Sequence, residues 1–467
     1  MIRLTGICIA LGLAAVTTAS AEEFSLTFKT IPAKDVMSFP GGAGSFGQMR
    51  LAKPAALKRE PKAVSQRPLY GVCREGTRAG SLLFRLDESR GDGKGYDELR
   101  LDMNQNGDLT DDPVVKAVAL PSESRLPASA LQRVLFGPIE APADKLIGGG
   151  RPAYFAQVLV NNLSALRRSS LGSEQLLNLY AGQLRLKAGW YLETTVAIQG
   201  QSLKVGLYDG DSNLRLGEEP TPVTYGSGGD KSWSFPSADS LLVDADGSGQ
   251  FEDDAFDSES CPFGPLLYLG ASPFKVGLDA DCKVLRLEPW SQPAAEVALQ
   301  PHGEQVRTLA LAWEQSPGEW KLMRPGLNGG KLIVPAGNYR LYSCSLMGKA
   351  GPLDQVMATA SQRILQPPVT FAAGSANTLK CGAPLEIKVT ADKRKAATYA
   401  VSALALRDVA ADSEYILRIG AAVRGAGGEV YSSYAKGDKF RGTPPRPTFT
   451  IRDAQGKQLA NGNLEFG

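Results

Sequence analysis

Residues 102–112, "DMNQNGDLTDD", set two asparagines and four acidic side chains around one glycine. Carboxylates and carboxamides are hard oxygen donors. A hard cation such as calcium takes about 6–8 of them at about 2.3–2.6 Å. Side chains at loop positions 1, 3 and 5, here Asp102, Asn104 and Asn106, reach a common point if the backbone curls around it. Gly107 at position 6 permits the bend, the carbonyl of Asp108 at position 7 turns inward, and Leu109 at position 8 anchors the loop to a core. Asp111 and Asp112 close the set. Two plainer readings compete. Asn-Gly is the strongest short-range hairpin signal, and a helix-capping cluster would also be acidic.

A second copy favours the ion. "DADGSGQFEDD" (244–254) matches the first loop position for position. Asp244 stands with Asp102, Asp246 with Asn104, Ser248 with Asn106, and Gly249 with Gly107. Gln250 supplies the position-7 carbonyl, Phe251 the apolar anchor, and Asp253 with Asp254 the closing acids. The match runs upstream, "DELRL" against "DSLLV", so Asp97 and Asp239 correspond. A degenerate third copy is "DGDSNLRLGEE" (209–219). It replaces the glycine by Leu214 but keeps Asp209, Asp211, Asn213 and the final Glu218-Glu219. An ion loop and an acid-decorated hairpin turn both fit that third segment.

The two regular loops resemble EF-hand-type and dockerin-type calcium loops, over about a dozen residues per copy. The resemblance implies calcium as the bound ion. Asp102, Asn104, Asn106, Asp108, Asp111 and Asp112 would hold one ion, and Asp244, Asp246, Ser248, Gln250, Asp253 and Asp254 another. Position 12, a bidentate Glu in an EF-hand, is Pro113 in one copy and Ala255 in the other, so the closing acid comes one or two residues early. The segments entering both loops read as strand, as in calcium loops of some β-rich exported proteins. Without two helices to open, the expected role of the ion is structural and not a switch.

Other chemistry is sparsely supported. His302 is the single histidine, beside Pro301 in an expected exposed loop. A Ser-His-acid triad would have to use it, and no G-x-S-x-G elbow is present. HExxH and C-x-x-C patterns are absent as well. "GSGGD" (226–230) and "GAGGE" (425–429) lack the following lysine-serine of a phosphate loop and read as turns. Carboxylate-pair hydrolysis needs no histidine. Its candidates outside the loops are Asp87, Glu88, Glu259 and Glu429.

The elements that must position these residues are mostly strands. "GSLLFRL" (80–86), "FAQVLV" (155–160), "WYLETTVAI" (190–198), "SLKVGLY" (202–208) and "KLIVPAGNYRLYSCSL" (331–346) are β-branched or aromatic-rich and bounded by turn residues. "LEIKVTA" (385–391), "EYILRIGAAVRG" (414–425) and "RPTFTIRD" (446–453) read the same way. Helix is expected only in short pieces, at Ser129–Leu135 and Gly172–Tyr180. The fold class is therefore mainly β, as several β-sandwich domains (small barrels being the other form) with inserted calcium-binding loops. Expected divisions are a leader at 1–21, an N-terminal β region with the first loop at 22–115, and a β-sandwich with the second loop at 116–295. An immunoglobulin-like domain at 296–366 and a C-terminal one at 367–467 follow. Strand rhythm and turn placement in "GAGGEVYSSY" (425–434) and "PPRPTFTIRDAQGKQL" (444–459) resemble immunoglobulin-like or fibronectin type III-like modules. The Pro- and Lys-rich run at 52–68 reads as an exposed extended segment.

Met1 to Ala21 carries Arg3, an apolar core from Leu4 to Val16 and the small-residue site Ala19-Ser20-Ala21. That is the pattern of an export signal. Cys8 leaves with it, and no later stretch is long and apolar enough for a membrane span. The expected location is periplasmic or secreted. Acidic and basic side chains number 49 and 51, which gives no electrostatic case for nucleic acid. Of the remaining cysteines, Cys261 and Cys282 flank a hairpin at 265–278 and are expected to bond. Cys344 with Cys381 is a weaker pairing, and Cys73 is left over and expected buried. The chain as a whole is similar to multidomain exported bacterial proteins, a likeness that implies no activity. Its expected function is calcium-stabilised, non-catalytic binding or structure, with calcium ions and cell-surface polysaccharide or protein as partners. An extracellular carbohydrate-active hydrolase using paired carboxylates is the alternative.

Overall fold

Alternation of buried and exposed side chains builds most of the chain. In Ser45–Arg50, for example, Ser45, Gly47 and Met49 are buried, while Phe46, Gln48 and Arg50 are exposed. Such a segment buries one face only when it joins a sheet. The computed structural model describes residues 21–463 except 43, 75–80, 92–94, 119–130, 162–180, 199, 226–231, 236–237, 246, 252–258, 302–304, 351–352, 362–366, 396–414, 437–447 and 453–454. The fold is mainly β, and among the described residues no helix occurs.

Eight antiparallel strands close into a barrel. In order around it they are Ser45–Arg50, Leu69–Arg74, Ser81–Asp87, Glu98–Leu101, Val115–Val118, Leu131–Glu140, Ala153–Asn161 and Gly182–Ala188. Closure removes exposed sheet edges. The first acidic loop connects Glu98–Leu101 to Val115–Val118 on the barrel rim, so strands on both sides of residue 115 belong to one barrel. Residues 131–135, read from the sequence as helix, lie in the strand Leu131–Glu140, and pairing on both sides overrides the local pattern. That ladder slips between Phe136 and Ile139, at Gly137-Pro138, where a bulge accommodates the proline. The other expected helix, 172–180, lies outside the described residues, as do residues 1–20 of the expected leader at 1–21.

A five-stranded sheet runs Ser260–Pro262, Ser240–Val243, Gln201–Tyr208, Trp190–Ile198 and Thr27–Thr30. A four-stranded sheet runs Glu22–Ser25, Val284–Pro289, Ser272–Leu278 and Leu266–Leu269. Both share one apolar core with the barrel, through fully buried residues such as Phe84, Phe136, Trp190, Tyr208 and Leu285. Burial of each such side chain contributes roughly 1.5–3 kcal/mol. A second core, with Trp313, Tyr339, Phe371 and Tyr431, lies among strands from Ala294 onward and takes in Leu266 and Tyr268 of the four-stranded sheet. There Ala294–Gln300 joins Lys331–Pro335 and, in parallel, Asn377–Lys380.

The run at 52–68 is largely exposed, as its composition suggests, with Leu57 and Ser65 as its buried points. Leu57 is buried with Tyr70, Leu83 and Leu109 in a small cluster of its own. The Lys58 and Arg59 N–H groups donate to the Gly107 carbonyl at 2.8 and 3.2 Å. The segment thus laces the first acidic loop to the barrel, because Gly107 leaves room for its backbone.

Cys261 and Cys282 are free thiols, not the expected disulfide. The hairpin itself forms, Leu266–Leu269 against Ser272–Leu278. However, Cys261 pairs with Leu241 in the five-stranded sheet. Cys282 occupies the next turn, after Ser272–Leu278 in the four-stranded sheet. Different sheets carry the two sulfurs. Cys73 is buried, and so are Cys344 and Cys381, whose thiols touch one another.

Candidate metal centres

The three acidic loops share one backbone path. Positions 4 and 6 of every copy are left-handed: Gln105 and Gly107 at φ 58° and 79°, Gly247 and Gly249 at 74° and 81°, Ser212 and Leu214 at 59° and 66°. Leucine in that region costs about 1–2 kcal/mol, so the degenerate copy holds its shape against its own sequence. The residue at position 8 anchors each loop. Leu109 is fully buried, Phe251 is buried edge-on to Tyr191, and Leu216 is half-buried against the main core.

Side-chain oxygens are placed by main-chain donors that repeat from copy to copy. The position-6 N–H donates to Oδ2 of the position-1 aspartate: Gly107 to Asp102 at 2.9 Å, Gly249 to Asp244 at 2.8 Å, Leu214 to Asp209 at 3.2 Å. The position-7 N–H donates to the position-5 side chain: Asp108 to Asn106 at 2.7 Å, Gln250 to Ser248 at 3.3 Å, Arg215 to Asn213 at 2.9 Å. An asparagine at position 5 also reaches the acid at position 10, Asn106 to Asp111 at 2.8 Å and Asn213 to Glu218 at 2.7 Å. Asn104 donates to Asp111 as well, at 3.2 Å. A half-turn of either carboxamide replaces its nitrogen by its oxygen, so the same side chains can offer oxygen to a cation.

In the first loop the closing acid is Asp112. Its Oδ1 accepts the Met103 N–H at 3.3 Å, while its Oδ2 is buried without a hydrogen-bond partner among the described residues. Burial pushes this carboxyl up to about 7; the Met103 N–H opposes the rise, and Asp102 and Asp111 add to it. A buried, unpartnered carboxylate oxygen among further carboxylates is a strong acceptor for a hard cation. Asp111 stays at the surface but joins the cluster through both asparagines. Asp108 turns its carboxylate away, to Arg59 at 3.1 Å and to the Thr110 N–H at 2.9 Å, which leaves it only the carbonyl role. Beside this loop opens a cavity of about 630 Å³ lined by Asn104 and Asp112 and by Lys116, Glu140 and Arg151.

In the second loop Asp244 is buried, and its Oδ1 has no partner among the described residues. Ser248 and Gln250 follow in register. Asp246, Asp253 and Asp254 lie outside the described residues. Both regular loops hang from the same place on a strand pair. The Asp102 N–H donates to Leu83 at 2.8 Å, and the Asp244 N–H to Lys204 at 3.0 Å, each one step past a paired return strand.

The third loop gains a residue that the alignment of copies did not assign to it. The register Tyr208↔Ser240 ends the ladder, which sets Asp239 beside Asp209. Asp209, Asp211 and Asp239 each turn a carboxylate oxygen to within 4.8 Å of the others. All three are buried. Burial raises Asp239 well above the usual carboxylate range, and the Asp209 charge adds to the rise. Burial also pushes Asp209 up to about 6, against hydrogen bonds from Tyr154, Asn213 and Leu214. The signal available in the sequence was Asp239 one residue before a strand. Its partner strand could only be known from the sheet.

The acids considered for hydrolysis are committed elsewhere. Asp87 accepts the N–H groups of Val64, Ser65 and Glu88 and pairs with buried Arg85 at 3.2 Å. Glu88 accepts the Gly95 N–H at 3.4 Å, and Glu259 the Ala245 N–H at 2.7 Å. Glu429 takes donors from Gly382, Gly427 and Tyr431 and ties the turn at 425–429. His302 and residues 226–230 lie outside the described residues. No known family model matches this chain, nor does any curated protein or solved structure.

Proposed function

We propose that this protein is an exported, calcium-binding, non-catalytic binding or structural component whose two regular acidic loops hold calcium as a structural ion. The observation that carries the reading is the pair of buried carboxylate oxygens without hydrogen-bond partners among the described residues, Asp112 Oδ2 and Asp244 Oδ1, in loops of the same backbone form. The donor sets consist of carboxylate, carboxamide, hydroxyl and carbonyl oxygens, which suits calcium and disfavours softer ions. Strands enter both loops, so the ion would clamp a turn to a sheet instead of driving helices apart. The cavity beside the first loop is the place where a small polar group of a cell-surface polysaccharide or protein would meet it.

Titration calorimetry on chelator-treated protein tests the reading. Calcium addition should release heat, and Asp102→Ala and Asp244→Ala should each subtract one ion from the stoichiometry. No heat on calcium addition, with an unchanged melting temperature, would overturn it.

A further inference from the structure

The geometry points to a further divalent-cation site, separate from the two regular loops, built by Asp209, Asp211 and Asn213 of the degenerate loop together with Asp239 from the neighbouring strand pair. Two oxygens on opposite sides of a calcium ion lie about 4.6–5.2 Å apart, twice the ligand distance. The carboxylate oxygens of Asp209, Asp211 and Asp239 all fall within 4.8 Å of one another, which matches one shared ion of that size.

The independent observation is Asp239. It is fully buried, its Oδ2 accepts the Glu218 N–H at 2.8 Å, and its Oδ1 has no hydrogen-bond partner among the described residues. The charged groups acting on it most strongly are Asp209, Asp211 and Glu218, all of its own sign. Taking a carboxylate out of water is unfavourable unless a cation or enough donors replace the solvent. Asp209 has such donors, from Tyr154 at 2.6 Å, Asn213 at 3.0 Å and Leu214 at 3.2 Å. Among the described residues Asp239 has a single one. A divalent ion between the three would supply what Oδ1 lacks.

The barrel shows the other way of meeting the same need. There the buried Asp87 is matched by Arg85, which also reaches Glu60 at 3.2 Å. No ion pair to Asp209 or Asp239 is formed among the described residues. Glu218 and Asn213 complete the oxygen set, linked at 2.7 Å. Asp239 and Asp244 bracket the strand Ser240–Val243, so this site and the second loop lie about 17 Å apart along one strand.

This site extends the calcium reading but does not depend on the regular loops, and the test separates them. Full-length, chelator-treated protein is titrated with terbium while tyrosine-sensitised emission is read, and bound calcium is counted by native mass spectrometry. The Asp102→Ala/Asp244→Ala variant should keep one ion and the sensitised emission, since the Tyr154 hydroxyl touches a ligand carboxylate. Adding Asp239→Asn should abolish both; the amide keeps the side chain's shape and can still accept the Glu218 N–H. If that variant does not fold, Asp211→Asn reads the same site. A double variant that binds no ion overturns this site and leaves the regular loops standing. A triple variant that still binds one ion also overturns it. Ion binding that Asp239→Asn removes and the loop substitutions leave unchanged would keep this site and sink the loops.

Discussion

The Tyr154 hydroxyl donates to Oδ2 of Asp209 at 2.6 Å, with both side chains fully buried. Tyr154 belongs to a barrel strand, and Asp209 begins the degenerate loop off the five-stranded sheet. One hydrogen bond to a charged group therefore ties the barrel to the acidic cluster. The same pair is strengthened from the other side by the Leu214 and Asn213 N–H groups, which fix the carboxylate in place.

Tyr154→Phe removes that donor and leaves the ring. Hydrogen bonds to charged groups contribute about 1.5–3 kcal/mol, so the variant should lose stability of that order. Calorimetric melting of the metal-free protein checks it. A change below half a kilocalorie per mole would mean that Asp209 finds another donor.

Arg85 neutralises buried acid in the barrel without any ion. Its guanidinium contacts Asp87 and Glu60, both at 3.2 Å, and both Arg85 and Asp87 are buried. Arg85→Ala strands the Asp87 carboxylate and should cost about 3–5 kcal/mol. The loss should be the same with saturating calcium and with chelator, because no proposed ligand is involved. Urea denaturation under both conditions measures this, and rescue by calcium would contradict the assignment.

Calcium should act on stability alone. An ion that binds only the folded state contributes about 2.7 kcal/mol at a hundredfold excess over Kd. Asp102→Ala and Asp244→Ala should each cancel one such increment, and the two losses should add, because one loop hangs on the barrel and the other on the five-stranded sheet. Far-ultraviolet dichroism at low temperature should barely move on calcium addition. A gain of helix or of dye-binding apolar surface would point to a sensor.

The cysteines provide a redox prediction. Cys344 and Cys381 are buried with their thiols in contact, and that contact, with burial second, raises Cys381 above the ordinary thiol range. In protein exported to an oxidising compartment these two should be joined, while Cys261 and Cys282 stay open to alkylation after unfolding. Peptide mapping of unreduced protein decides it, and a Cys261–Cys282 peptide would contradict the sheet assignment of both residues.

Local spacing was legible in the sequence. The acidic loops are short, their turns are set by residues at fixed offsets, and the anchors Leu109 and Phe251 follow each bend directly. Strand content was legible too, since a period of two repeats within a few residues. What the tertiary structure alone decided is which distant segments meet. Asp239 was visible as the counterpart of Asp97, yet it faces Asp209 because Tyr208 pairs with Ser240. The 131–135 stretch is a strand because two neighbours claim its backbone. Cys261 and Cys282 stay free, Cys261 in a strand of the five-stranded sheet and Cys282 in a turn of the four-stranded one. Ladder pairing between remote strands depends on the packing of the whole barrel and its flanking sheets, and no window of neighbouring residues encodes it.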